Sequence, residues 1–591
     1  MNKIKILSLL IAVTCLISCT VCIASAEGNT VNITVNTQTD RKAISPYIYG
    51  VNAELMYTDV SATAIRAGGN RYSAYNWETN ASNAGADWHH SSDAHLVRDL
   101  SDDMKEVPGA TALNLAQVCK EKNHAYPLMT LQMAGYVAAD MNGDVGESQT
   151  APSNRWNEIR YAKGSGFSLK PDLDDGVVYM DEFVNYLVKK LGSSASKNGI
   201  KGYSLDNEPA LWHNTHSRVH PDKVTCREIV ERSAELAGAV KNVDPNAEIF
   251  GPALYGFNAY TTLQGAPDWE EISSSGDYRW FIDYYLDEMK KAEEETGVRL
   301  LDVLDVHFYT EAKGECGERS CDHYDREGCV LARLNSTRTL WDKSYREDSW
   351  IASSSSGQKF IPILPSINES IEKYYPGTKL AITEYNFHGG DDICGAVVQA
   401  DALGVFAQNG VYFATLFSGS DNVAFTLAAI DLYTNYDGKG NGFGDTLVSC
   451  ASDDIDRSTA YASTFGESSD VVTLVVTNKS FNENTTANIT LNGGAEYGYV
   501  KAYTIDAETA EIIDISESAD IALSGNKVTY DMAPESVSLL VIAKDESTAQ
   551  SLTSSPINMT PWVISGIAVL AVIVAIGAVV GIRKHSAAEK L

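Results

Sequence analysis

Positive charge is what this sequence has least of for its size. Its 591 residues carry 46 Lys and Arg against 78 Asp and Glu, a formal net charge of −32 at pH 7. Five of the cations (Lys3, Lys5, Arg583, Lys584, Lys590) but only one acid, Glu589, lie in the two ends, so the middle is more acidic still. Polyanions are repelled by such a field, which excludes nucleic acid and anionic polymers as partners and leaves neutral polymers compatible. A glycine-rich phosphate loop after the first strand-like run is also missing, which argues against a doubly wound nucleotide-binding sheet. Cysteine is sparse. Three of the ten (Cys15, Cys19, Cys22) fall in the leader region, leaving seven for the rest of the chain.

Membrane-length apolar runs are confined to the ends. Lys3 and Lys5 precede an apolar run from Ile6 to Ile23, and Ala24-Ser25-Ala26 offers a cleavage site, so residues 1–26 read as an export signal. Leu16-Ile17-Ser18-Cys19 also resembles a lipoprotein box, which would leave Cys19 lipidated instead. From Trp562 to Ile582 the chain carries no charge and is long enough to cross a bilayer core of about 30 Å as a helix. Arg583-Lys584 follow, predicting a cytoplasmic tail over 583–591. Residues 545–561, rich in Ser, Thr and Pro, read as a stalk. The expectation is a single-pass protein held by its C-terminal transmembrane helix on the extracellular face of the cell membrane.

Two textures divide the exported part. Eight short apolar runs follow one another over residues 44–454: Ile44–Asn52, Ala62–Asn70, Ala125–Tyr136, Ile200–Glu208, Glu248–Gly256, Leu300–Tyr309, Lys379–Glu384 and Val411–Gly419. Amphipathic stretches lie between several of them, as in Tyr179–Leu191, where Phe183, Tyr186, Leu187 and Leu191 share a face. Repeated strand-then-helix units predict an α/β fold, a (β/α)8 barrel. Over residues 455–544 the helical period disappears, and short strands separated by Gly, Asn and Asp turns predict a small all-β sandwich. A strand around Val31–Val35, within residues 27–43, is expected to complete it. Few aromatics there are spaced for sugar stacking, so stiffening the barrel is the favoured role over binding carbohydrate.

Chemistry in such a barrel gathers at the C-terminal ends of the strands. The fourth run closes on Tyr203-Ser204-Leu205-Asp206-Asn207-Glu208-Pro209 and the seventh on Ile382-Thr383-Glu384-Tyr385-Asn386. Glycosidic cleavage needs two carboxyls flanking the scissile bond, one protonated to expel the leaving oxygen, one ionised to attack or to activate water. A lone glutamate after a strand is usually a loop residue; Glu208 and Glu384 at strand ends four and seven form a candidate pair. Arg66, on the second run, is suited to hold Glu384 ionised. Tyr309, beside His307 at the end of the sixth, is suited to donate to the same carboxylate, and Asn207 to bind a sugar 2-hydroxyl. Taken singly, Arg66 and His307 read almost as well as structural polar residues. Trp77, Trp88 and Trp212, in loops on the catalytic side, are candidate walls for stacking sugar rings, with ordinary packing the equal alternative for each.

Longer motifs narrow the reading. Gly68-Gly69-Asn70-Arg71 through Tyr75-Asn76-Trp77-Glu78-Thr79-Asn80 to Gly85, Ser204 through Trp212, Leu301 through Tyr309, and Asn435-Tyr436-Asp437-Gly438-Lys439-Gly440 resemble glycoside hydrolase family 44. The resemblance runs over about residues 30 to 545. It implies a (β/α)8 barrel with a β-sandwich, retention of anomeric configuration, and endo-cleavage of β-1,4-glucans including xyloglucan. Glu208 matches the family's acid/base and Glu384 its nucleophile, and no cofactor is required for the chemistry. Phe308 and Thr310 stand where the family often has Trp and Pro, and Phe417 where Trp is common. An aromatic platform remains at 308 and 417 with less stacking area, which leaves polymer preference open. The expected substrate is a neutral plant-type polysaccharide. Another retaining barrel β-glycanase, a xylanase or mannanase, is the alternative; a non-catalytic polysaccharide-binding protein would not need both glutamates.

Cys316, Cys321 and Cys329 fall in an insertion after the sixth run and Cys394 after the seventh, so one or two disulfides are expected there. A zinc site using these thiols and His323 matches no standard ligand spacing. A structural calcium is compatible with the composition, but no compact acidic loop identifies its ligands.

Overall fold

The computed structural model describes residues 29–319, 322–419, 422–518 and 520–551. Eight strands close into a parallel barrel: Tyr47–Asn52, Ala64–Ala67, Tyr126–Leu131, Gly202–Leu205, Glu248–Leu254, Val303–Tyr309, Lys379–Asn386 and Phe413–Leu416. Each is hydrogen-bonded to the next in sequence and the last to the first. Strands such as Tyr126–Leu131 are buried at every residue, because side chains on one face fill the barrel and those on the other meet the helices. Tyr126, Phe250 and Phe413 pack edge to face across the interior, with ring centroids 5.2 to 6.1 Å apart. They belong to a core cluster, with Ala64, Leu128, Val303 and Ala381, drawn from the first half of six of the strands. The barrel is thus plugged near its base, and its open face is the one the strand C-termini reach.

Outside, Met180–Leu191 buries Phe183, Tyr186 and Leu187 on the face its sequence period marks. Helix Ile393–Gln408 is different, buried along nearly its whole length. Its period is featureless because the barrel covers one side and the second β-structure the other; Gly404 leaves the space that the Tyr461 ring fills.

That second structure is a sheet whose path includes Thr30–Asn36, Ala460–Phe465, Ser468–Asn478, Thr485–Asn492, Tyr499–Asp506, Lys527–Met532 and Ser536–Ala543. In Thr30–Asn36, exposed and buried residues alternate, sending Val31, Ile33 and Val35 into a core with Leu474, Ile489 and Leu540. One boundary is corrected. Thr446–Ser452, expected within the barrel segment, pairs antiparallel with Thr30–Asn36 and with Ala460–Phe465, so the β-sandwich begins before residue 455.

A buried ion pair joins the two parts. Asp401, in the buried helix, meets Lys479 Nζ at 3.2 Å with neither side chain exposed, and also accepts from Thr337, Thr459 and Tyr461 hydroxyls. Burial works to raise the Asp401 carboxyl, but Lys479 and the three hydroxyls overcome it and hold it below its ordinary range. Lys479→Met strands that charge and is expected to cost about 3–5 kcal/mol, whereas the double change with Asp401→Asn recovers much of the loss. Denaturant unfolding of the three chains checks this; equal stability of Lys479→Met and the parent would reject it.

The expected membrane anchor does not enter the architecture. Among the described residues no helix is long and apolar enough to cross a membrane, and residues 562–582 lie outside them. The transmembrane assignment and the placement on the cell-membrane face are therefore withdrawn. Apolarity, length and a basic flank are necessary for a spanning helix but not sufficient for one. The leader, including Cys19, and most of the 545–561 stalk likewise lie outside the described residues.

Candidate active site

The fourth barrel strand ends at Leu205, and the chain then turns through two residues in the left-handed region, Asp206 (φ 63°) and Glu208 (φ 46°). Each costs on the order of 1–3 kcal/mol for a non-glycine residue, so the surroundings must hold the turn. Asp206 supplies the hold. Its fully buried carboxylate accepts from the Ala134 amide at 3.0 Å, the Asn207 amide at 2.7 Å, the Met133 amide and the Ser73 hydroxyl. Glu208 itself donates its amide to the Ala253 carbonyl, and Pro209 carries the chain away.

From the seventh strand, Glu384 enters the same space. The sixth and seventh strands pair in parallel with a register shift between Val306 and His307, which sets His307 opposite Glu384 and Tyr309 opposite Asn386. Arg66 Nη1 donates to Glu384 Oε1 at 2.7 Å and to Asn52 Oδ1 at 3.1 Å, while Nη2 donates to Asn207 Oδ1 at 2.8 Å. Tyr309 Oη donates to Glu384 Oε2 at 2.8 Å. His307 Nδ1 sits between the two carboxylates, 2.9 Å from Glu208 Oε1 and 3.5 Å from Glu384 Oε2.

The two carboxyls are driven apart electrostatically. Burial and the nearby charge of Glu384 raise Glu208 against the hydrogen bond from His307. Burial acts upward on Glu384 as well, but His307, Arg66 and the Tyr309 hydroxyl outweigh it and hold Glu384 below the carboxylate range. At His307, burial favours the neutral ring, yet the two glutamates prevail and raise it. Ligating atoms of Glu208, His307 and Glu384 all lie within 4.8 Å of one another. Such an arrangement can hold one carboxyl protonated and the other ionised on either side of a small reacting group.

A family model described as glycoside hydrolase family 44 matches residues 81–312. Endoglucanase A from Paenibacillus lautus is 46% identical over 530 residues, covering 88% of this chain and 74% of that protein. The chain belongs to glycoside hydrolase family 44. Among solved structures, a Paenibacillus polymyxa family 44 xyloglucanase with xyloglucan is 47% identical, with a TM-score of 0.83 over 87% of this chain and 99% of that one. A family 44 endoglucanase from Clostridium thermocellum is 49% identical, with the same TM-score over 87% and 100%. As a family 44 member the protein is a glycoside hydrolase.

Against that family's cleft chemistry, the expected aromatic walls sort into two groups. Trp88 is 62% exposed on its loop. Trp77 and Trp212 are fully buried and do not line the cleft. Trp77 stacks on Phe183 at 5.0 Å, and Trp212 donates its indole N–H to the Asn207 carbonyl at 3.2 Å, bracing the acid-bearing turn from behind. Phe417 is half-buried, and Phe308 is buried against Phe387. Beside Tyr309 lies a cleft of about 480 Å³ lined by Tyr255, Phe257, Phe308, Glu311 and Trp350. Trp350, 40% exposed, escaped the sequence reading because it opens a short helix between strands six and seven, away from any strand end. Asp206 also escaped it; its place between Leu205 and Asn207 was the available signal.

The expected disulfide is present at Cys316, and two of the four cysteines stay outside it. Cys316 is disulfide-bonded, whereas Cys329 and Cys394 are free and buried. Cys394 Sγ accepts from Arg333 Nη1 at 3.1 Å. With Cys316 in a disulfide, the four thiols do not form a zinc cradle; Cys321 lies outside the described residues.

Proposed function

We propose that the chain is a retaining endo-β-1,4-glucanase acting on cellulose-type glucans and xyloglucan, with Glu384 as nucleophile and Glu208 as acid/base. The observation that carries the reading is the opposed tuning of two carboxyls that each place one oxygen within 4.8 Å of the other's. Inverting enzymes keep their carboxyls about 6.5–9.5 Å apart to admit a water, and an approach of this kind favours the retaining arrangement. Glu384 attacks the anomeric carbon as Glu208 passes its proton to the glycosidic oxygen; the leaving chain departs and a glycosyl ester forms. Glu208, now ionised, takes a proton from water, whose oxygen attacks the same carbon and frees Glu384. Arg66, Tyr309 and His307 hold Glu384 ionised between turnovers, and Asn207 offers its amide to the 2-hydroxyl. Trp88, Trp350 and Phe417 are the aromatic surfaces open to sugar rings, and Phe308 lines the cleft with Trp350.

Similarity to an endoglucanase and a xyloglucanase supports the polymer class. Reducing-sugar release from β-1,4-glucan, xyloglucan, xylan and mannan tests it, together with proton NMR of the first anomer formed. Glucan and xyloglucan should be cut with the β-anomer appearing first. Xylan or mannan as sole substrate, or the α-anomer first, would overturn the reading.

For the structural calcium, the fitting residue is Glu78. It is 6% exposed, its Oε2 has no hydrogen-bond partner, and burial together with Asp175, Glu182 and Asp172 pushes its carboxyl up to about 8. A hard cation held by Glu78 would stiffen the loop that carries it and take no part in the reaction. Saturating calcium is expected to raise Tm by several degrees, an increment Glu78→Gln loses. An equal Tm in calcium and in chelator rejects the site.

A further inference from the structure

The Gly68-Gly69-Asn70 motif follows the strand that carries Arg66, and its glycines have local reasons. A Cβ on Gly68 would fall 2.3 Å from Arg66 Cζ, so only glycine lets the guanidinium fold back over the chain. Gly69 has φ 90°, turning Asn70 towards the acid-bearing loop. Asn70 then makes contacts that the proposed mechanism does not use. Its Oδ1 accepts from Asn207 Nδ2 at 3.2 Å, and its Nδ2 donates to both oxygens of Asp87, at 3.2 and 3.1 Å. Asp87 immediately precedes the exposed Trp88.

The ends of this chain of bonds dictate the orientation of every group within it. Arg66 only donates, so Asn207 must face it with oxygen; Asp87 as carboxylate only accepts, so Asn70 must face it with nitrogen. Donors therefore run one way, from Arg66 through Asn207 and Asn70 to Asp87. In that register one Asn207 N–H is committed to Asn70 and the other is left to point at the sugar. We propose that Asn70 is a positioning residue that fixes the Asn207 amide for the 2-hydroxyl and couples it, through Asp87, to the Trp88 wall. This rests on the role assigned to Asn207 in the proposed function. Without Asn70 the Asn207 side chain keeps one anchor and can turn about it; the contact with the 2-hydroxyl, which tightens in the transition state, then weakens.

The test measures kcat and KM on two aryl β-cello-oligosaccharides, with and without the 2-hydroxyl on the ring bearing the aryl group. In the parent enzyme, removing that hydroxyl is expected to lower kcat/KM roughly 100-fold, the scale of a bond strengthened in the transition state. In Asn70→Ala the penalty should shrink to about tenfold, through kcat rather than KM, with Tm nearly unchanged. Asn70→Asp, which sets two acceptors face to face at Asp87, should shrink it as well. A purely structural Asn70 would lower both substrates alike and keep the 100-fold ratio, and that result overturns the proposal. A parent enzyme with no 2-hydroxyl penalty would instead remove the role of Asn207, and this inference with it.

Discussion

Glu384→Gln loses hydrolysis of β-1,4-glucan by about 10⁴-fold or more, because an amide cannot form the glycosyl ester that splits the reaction into two steps. The substitution keeps the side-chain shape and leaves an oxygen to face Arg66, which also retains Asn52 and Asn207 as acceptors. Even so, a buried guanidinium loses its counter-charge: the pair is 2.7 Å long with side-chain exposures of 0% and 6%. The variant is therefore expected to unfold cooperatively but up to about 3 kcal/mol less stably. Rate and melting curve separate the two effects. Trapping supplies a second readout: a 2-fluoro glycoside should add one glycosyl mass to the Glu384 peptide of the parent and none to the variant. Near-normal turnover, or label on another residue, would reject Glu384 as nucleophile.

Glu208→Gln has a different signature, since it removes the proton donor and leaves the nucleophile. Hydrolysis of polymer should fall about 10²–10⁴-fold, the usual worth of general acid–base catalysis. Substrates with leaving groups that need no protonation should still acylate Glu384, and the ester should then accumulate. Azide, a nucleophile that requires no base, should release it as the β-glycosyl azide. The pH profile carries the sign of the tuning. In the parent, kcat/KM should rise through the ionisation of Glu384, below the ordinary 4.5, and fall through that of Glu208, above it. In Glu208→Gln the alkaline fall should disappear. If it persists, another group is the acid.

The residues legible before any coordinates were those whose role follows from position along one strand. Glu208 after the fourth strand and Glu384 on the seventh are recognisable because a parallel barrel delivers all its strand ends to one face. Arg66 and Tyr309 follow by the same logic, and the structure joins both to Glu384. The tryptophans show where that logic stops. Trp77 and Trp88 stand in one loop region with similar neighbours, yet one is stacked on Phe183 and the other is open to solvent. Helix Met180–Leu191 decides between them, and nothing near Trp77 in sequence encodes its approach. The buried helix Ile393–Gln408 hid its role for a related reason: an element covered on two sides loses the period that marks a face.

The candidate pair of glutamates, the eight-strand repeat and the bias against anionic polymers were therefore legible in the sequence alone, since local pattern and net charge suffice to suggest each. Tertiary structure decided which carboxyl is raised and which lowered, because that depends on His307 and Arg66 arriving from other strands within hydrogen-bond reach. It also decided which aromatics are open to solvent, and it linked Asn70 to Asn207 across the barrel mouth. Each of those depends on a distance between residues far apart in the chain, and only folding sets such distances.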